Sequence, residues 1–504
     1  MKATARPSER VAPVELSADQ FRRLGHSLVD RISDLLDTIR DRPVGPSMTP
    51  GDLRAIVDTE RSLPPTGADP SQVLDRACDL LFAHSLFNGH PRFWGYITSS
   101  PAPLGMLGDL LASAVNANLG SWKLAPVGTE IELQTVRWIA EFMGYPTDCG
   151  GLLVSGGNMA NFVGFMAARV ACADWDIRTE GMRAHRARLL TLYASRETHT
   201  WVQKAADLTG LGTDAIRWVP VDSRNRMDLA ALDHMVAADR RDGHLPFLII
   251  GAAGTVSTGA IDPLREIARY CRDNSMWFHV DGAYGGVAAA IPGLSDDILG
   301  LREADSVAVD PHKWLYAPLE AGCALVRDPE KLRAAFAYHP PYYHFGEEAT
   351  NLVDYGPQNS RGFRALKVWL MLQHVGRDGY VRMMTEDIRL AELLYSVLER
   401  HECFQVFTQG LSITTFRYIP ADLRARLGEP SVESYLNELN KDLLLRMEKG
   451  GEAFVSNAVL ENKFLLRACV VNFRTSRADI ELLPSIAARL GEEADLSLRP
   501  SGLQ

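Results

Sequence analysis

Val307-Ala308-Val309-Asp310-Pro311-His312-Lys313-Trp314 is a short apolar run that stops at a proline and then presents a histidine and a lysine. A second apolar run, Met276-Trp277-Phe278-His279-Val280-Asp281, ends in a carboxylate 32 residues before that lysine. Both runs have the length and content of buried strands, so Asp281 and Lys313 are expected at the ends of neighbouring strands. An amine to take an aldehyde, with an anion to keep a pyridine nitrogen protonated, is the equipment for holding pyridoxal phosphate.

The pattern around these runs gives the fold class. Further apolar runs near 189–194, 216–221, 246–252, 306–309 and 323–326 alternate with helical patterns. That alternation implies an α/β architecture, a mostly parallel central sheet flanked by helices. In such sheets ligands gather at the carboxyl ends of the strands, where Asp281 and Lys313 fall. Thr129 and Glu132 read as a capping box opening a helix that Gly144-Tyr145-Pro146 stops, and Asp262-Pro263 reads as the cap and first residue of another.

Outside this region, Phe21, Leu24, Leu28, Ile32 and Leu36 mark an amphipathic helix, followed by proline-rich breaks at 42–46 and 63–67. Residues 1–102 are therefore expected to form an N-terminal helical segment that packs on something else, such as a partner subunit. Residues 103–378 form the large domain. Residues 379–504 form a small α+β domain, with helices near 385–400 and 432–449 and strands near 411–417 and 464–473. A long helix is expected from about Arg361. Residues 337–359, rich in proline and tyrosine, interrupt the alternation as a long loop, which inside a compact domain points to function.

Composition narrows the class. The 504 residues carry a net charge of -10, which argues against general nucleic-acid or anionic-membrane binding. The seven cysteines are scattered, odd in number and without a CxxC pair, so neither a disulfide framework nor a metal site is expected. No apolar leader or membrane-length run is visible, and the expectation is a soluble cytoplasmic protein.

Each chemical residue has a plainer reading. Lys313 beside Trp314 also suits a surface lysine lying along a ring. Asp281 suits an acid closing a turn, but small residues, Gly282-Ala283-Tyr284-Gly285-Gly286, follow it and leave room for a flat ring. Gly150–Asn161 is a glycine-rich turn leading into a helix, a phosphate cradle that matches neither the dinucleotide fingerprint nor the Walker loop. His199 follows a strand and is either a polar loop residue or a ring that stacks on a cofactor.

Taken in order, the residues resemble the pyridoxal-phosphate-dependent group II amino-acid decarboxylases, nearest the aromatic-L-amino-acid branch. The resemblance rests on His90-Pro91-Arg92-Phe93-Trp94-Gly95-Tyr96, Ser121-Trp122, Pro126, Thr129-Glu130 and the glycine-rich turn. It continues through His199, His279–Tyr284, Pro311–Trp314 and Phe363–Lys367. It implies fold-type I architecture and decarboxylation of an L-amino acid, expected to be aromatic, to its amine. The alternatives are a non-aromatic substrate or an oxidative deaminase giving an aldehyde. It further implies that Lys313 holds the cofactor as an imine, Asp281 pairs with the ring nitrogen, and His199 and Ala283 face the two sides of the ring. Gly157, Asn158 and His312 would hold the phosphate, and Ala252 would sit beside the cofactor. Tyr342, rather than Tyr343, would protonate the substrate carbon. Tyr96, Ile97, Asn118, Gly120 and Ser360 would form the substrate pocket of a homodimer whose active sites draw on both subunits. Asp310, Asn118, Gly120, Ile97 and Ala252 depart from the family's usual residues, which loosens the substrate assignment.

Overall fold

The structure, a computed structural model, describes residues 12–183, 189–339 and 349–503. The chain divides into two compact units, Met1–Phe87 with Lys449–Gly451, and Asn88–Glu448 with Glu452–Gln504. In the first unit the expected amphipathic helix is present as Ala18–Thr38, opened by a capping box between Ser17 and Gln20. Arg31 ties it to the helix Pro70–His84 through Asp75 at 2.9 Å and through Asp79. None of its residues is buried, and Phe21 stays 63% exposed, so its apolar face is left largely uncovered within this unit.

The second unit contains a seven-stranded sheet of β1 (Gly150–Val154), β2 (Leu190–Ser195), β3 (Ile216–Val219), β4 (Leu245–Ala252), β5 (Trp277–Asp281), β6 (Ser306–Val309) and β7 (Gly322–Val326). Their order is β1-β7-β6-β5-β4-β2-β3. The neighbours from β6 to β3 run parallel, while β7 runs antiparallel to both β1 and β6. Six of these strands are buried along nearly their whole length, as their continuous apolar runs require. A four-stranded antiparallel sheet follows, of β8 (Phe404–Gly410), β9 (Ile413–Tyr418), β10 (Ser456–Leu460) and β11 (Lys463–Cys469), in the order β10-β11-β9-β8.

Several local expectations are corrected. The stretch 150–161 is not only a turn: its first five residues are the buried strand β1, and the helix begins at Gly157. Glycine is needed there because a Cβ on Gly151 would stand 2.6 Å from the Ala324 carbonyl oxygen across the sheet. Thr129 and Glu132 do not cap a helix. The helix Pro126–Met143 begins three residues earlier, with proline at its first position, and buries both side chains. Asp262 is not a helix cap either. Its fully buried carboxylate accepts from the backbone N–H groups of Ala252 (2.8 Å) and Met227 (2.7 Å). The helices expected near 361 and 385–400 form one run, Ala365–Glu399, broken by Gly376 with φ +67°.

Glu132 has another role. It pairs with Arg361, both side chains almost fully buried, and also accepts from the Leu153 backbone N–H at 2.8 Å. Arg361 donates in turn to the carbonyls of Leu119 (3.1 Å) and Leu153 (2.6 Å). One ion pair thereby joins the segments around 119, 153 and 361. Removing one partner leaves a buried unpaired charge, so Glu132→Ala is expected to lower stability by about 3–5 kcal/mol. The double change Glu132→Leu/Arg361→Met should cost less than the two single changes added together, and urea unfolding of the four proteins measures both.

Candidate active site

β4 and β5 pair so that Ala252 lies opposite Asp281, and β5 and β6 pair so that Asp281 lies opposite Ala308. The carboxyl ends of three neighbouring strands thus bring together Ala252, Asp281 and, after the turn Asp310–Lys313, the lysine. These strand ends border a single cleft. Its walls include Ile97, Gly157, Asn158, His199, Ala252, Asp281, Ala283 and Lys313, eight of the residues singled out in the sequence.

Electrostatics organise the cleft. The Asp281 carboxylate accepts from Trp201 Nε1 at 2.8 Å and from the Ala283 backbone N–H at 3.2 Å, which fixes its plane. Lys313 Nζ stands 3.2 Å from Asp310 Oδ2, and His312 Nε2 lies 3.7 Å from the same oxygen. Asp310, the acid at an unexpected position, therefore has a basic partner, although its buried Oδ1 has no hydrogen-bond partner. His199 accepts the Trp201 backbone N–H at Nδ1 (3.3 Å), which puts its proton on Nε2. Part of the ring is open to the cleft, yet the protein packed around the remainder lowers its pKa from the ordinary histidine value. Burial likewise lowers the pKa of His312, against the pull of Asp310.

The lysine is carried on a rigid support. Trp314 donates through Nε1 to Asp387 Oδ2 at 2.8 Å, and the Tyr316 hydroxyl donates to the same oxygen at 2.5 Å. Tyr284, from the turn after β5, stacks on Trp314 with ring centroids 4.9 Å apart. The turns bearing Asp281 and Lys313 are thus packed together by aromatic rings.

These residues fit pyridoxal phosphate. A lysine amine and an oriented carboxylate face one cleft, and the helix Gly157–Cys172 directs its free N-terminal amides to one end of it. At that end a Cβ on Gly157 would lie 2.5 Å from Asp310 Oδ2 and 3.0 Å from the Ala283 Cβ, so only glycine leaves the space open.

The remaining predicted residues lie elsewhere. Asn118 Oδ1 accepts from the backbone N–H groups of Gly120 (3.1 Å) and Arg361 (3.0 Å), and a Cβ on Gly120 would strike the Asn359 carbonyl. Asn118, Gly120 and the exposed Ser360 thus gather in a second group that is not part of the cleft lining. Tyr96 is 55% exposed and also lies off the lining. Tyr342 and Tyr343 fall outside the described residues. Trp201 was missed by the sequence reading; its one signal was its place two residues after His199, at the start of a helix.

The chain matches the pyridoxal-dependent decarboxylase conserved domain over residues 50–419. It is 33% identical over 490 residues to an aromatic-L-amino-acid decarboxylase of Bacillus atrophaeus, covering 96% of this chain and 98% of that protein. Among solved structures, mouse CSAD superposes with a TM-score of 0.89 at 27% identity, covering 94% of this chain and 99% of the other. Oryza sativa TDC with PLP and tryptamine superposes with a TM-score of 0.87 at 27% identity, covering 96% and 99%.

Burial pushes the Asp387 carboxyl up to about 7. Its pKa in the unfolded chain is about 3.9, so the folded form holds the extra proton between the two values and loses stability as pH rises from about 4 to 7, by up to about 4 kcal/mol. Asp387→Asn should remove that component, and denaturant unfolding of both proteins between pH 4.5 and 7.5 should show the wild type losing ground to the variant as pH rises.

Proposed function

Because this chain belongs to the pyridoxal-dependent decarboxylase family, and is an amino-acid decarboxylase that uses pyridoxal 5'-phosphate, we propose that it converts an aromatic L-amino acid to the corresponding amine and carbon dioxide. The observation that carries the site assignment is the shared cleft of Lys313 and Asp281. The substrate class is supported by similarity to the bacterial aromatic-L-amino-acid decarboxylase along almost the whole chain.

The bound cofactor supplies an electron sink for the pair left behind when the Cα–carboxylate bond breaks. Lys313 would hold the cofactor through its amine, at the position where the substrate amine has to enter. Asp281, held in plane by Trp201, keeps a proton on the ring nitrogen. His199 would cover one face of the cofactor and Ala283 the other, while Gly157, Asn158 and His312 would hold the phosphate. Tyr342 then returns a proton to the substrate Cα and directs the reaction to the amine instead of the aldehyde. Ile97 and Tyr96 border the substrate, together with Asn118, Gly120 and Ser360.

The last three reach a substrate if two chains share each site, and we read the enzyme as a homodimer. Two features support that reading. The helix Ala18–Thr38 leaves its apolar face bare within its unit, and the helix Pro103–Val115 exposes Leu107, Leu110, Leu111 and Val115. In this reading residues 1–102 serve dimer packing, 103–378 bind the cofactor and 379–504 form the smaller domain. No described helix is long and apolar enough to cross a membrane. A cytoplasmic location is supported by the seven cysteines, all of them free thiols.

Lys313→Ala should lower kcat/KM by more than about a thousandfold and leave no borohydride-reducible linkage to the protein; an active variant would end the assignment. Tyr342→Phe should divert product in air from amine to aldehyde, ammonia and peroxide, and mass spectrometry over a panel of amino acids reads both product and substrate class. Leu110→Asp should shift the protein from dimer to monomer in light scattering and depress activity along with it.

A further inference from the structure

Behind the cleft, and reaching its wall at Asn161, lies a chain of buried polar groups to which the reaction scheme above gives no part. Trp277 Nε1 donates to Ser306 Oγ at 2.8 Å, and Ser306 Oγ lies 2.7 Å from His279 Nδ1. His279 Nε2 lies 2.7 Å from Asn161 Oδ1, and Asn161 Nδ2 donates to the Gly157 carbonyl at 2.9 Å. His279 and Ser306 are fully buried, Asn161 is 1% exposed and Trp277 4%.

Donor logic fixes the direction of every link. The Gly157 carbonyl can only accept, so it receives the Asn161 amide nitrogen and turns Asn161 Oδ1 toward His279. That oxygen can only accept as well, so His279 carries its proton on Nε2 and its Nδ1 accepts from the Ser306 hydroxyl. Trp277 can only donate and completes the run. Burial, lowering His279 to about 4, keeps the ring neutral and so leaves Nδ1 free to accept from Ser306. The same ring meets Trp201 edge-on at 5.5 Å between centroids, and Trp201 is the residue that holds Asp281. One imidazole is thus bonded toward the phosphate end of the cleft and packed toward the ring end.

We propose that His279 and Asn161 are positioning residues for the phosphate group of the cofactor. They hold the Gly157 carbonyl, and with it the first turn of the helix Gly157–Cys172, so that its free amides converge on the anion. This rests on the reading of the cleft as a pyridoxal phosphate site. Without the wire the helix is still anchored by its apolar side, but its first turn loses the side-chain bond that sets its angle, and phosphate binding weakens more than binding of the rest of the cofactor.

The test is a titration of cofactor-free wild type, Asn161→Leu, His279→Leu and the double variant with pyridoxal phosphate and, separately, with pyridoxal. The ³¹P resonance of the bound phosphate is recorded alongside. Each single variant should weaken pyridoxal phosphate binding tenfold or more, leave pyridoxal binding within twofold, and shift the ³¹P resonance. The double variant should be no worse than the weaker single one, because the two residues act as one connection. His279→Gln, which can still donate to Asn161, should recover most of the loss. Should the leucine variants fail to fold, Ser306→Ala interrupts the wire with less loss of volume and is expected to give the same selective weakening. Unchanged affinity and an unmoved ³¹P resonance, or equal loss for both ligands, would overturn the proposal. Wild type that binds neither ligand would instead overturn the cofactor-site reading itself.

Discussion

The site depends on one close approach, between the helix Gly157–Cys172 and strand β5. The two can meet because position 164 has no side chain: a Cβ there would stand 2.8 Å from the His279 ring. This contact puts the start of the helix beside the ends of β4, β5 and β6. A larger residue at 164 would push the helix outward, and the phosphate end would move relative to Asp281 and Lys313. Interiors packed at crystal-like density have no slack to absorb such a shift.

Around that contact the charges are arranged so that each reactive group is held by a different kind of partner. A tryptophan N–H and a backbone N–H orient Asp281. Lys313 pairs with Asp310. Aromatic packing through Trp314, Tyr284 and Tyr316 fixes the turn between them. Using neutral donors on Asp281 leaves its negative charge uncancelled for a cationic ring, whereas an arginine in the place of Trp201 would have neutralised it.

The group around Asn118 is built differently. Asn118, Gly120 and Arg361 are joined by backbone-directed hydrogen bonds and by the buried pair of Arg361 and Glu132, on segments that do not border the cleft. The residues proposed to hold the cofactor sit at strand ends and on the turns after them, while those proposed to tune substrate choice sit mostly on connecting segments. Such a division lets the substrate pocket vary without disturbing the cofactor.

Six of the seven strands of the large sheet, their order of appearance and the placing of Asp281 and Lys313 at one cleft were legible in the sequence, because buried parallel strands write themselves as unbroken apolar runs and the reactive residues lie just past their ends. The sequence alone also marked the glycine-rich stretch 150–161 as a phosphate cradle at the start of a helix. It could not show what Glu132 and Asp262 do. Each looks like a helix cap over a few residues, and only long-range packing sends Glu132 to Arg361 and Asp262 to the N–H groups of Ala252 and Met227. Nor could it show that Trp201 holds Asp281 across 80 positions, or that His279 and Asn161, 118 apart, form one hydrogen bond. Local pattern reports which face of an element is buried. Which polar groups meet inside is decided when helix and sheet close on each other, because a buried donor or acceptor must find a partner wherever the chain brings one.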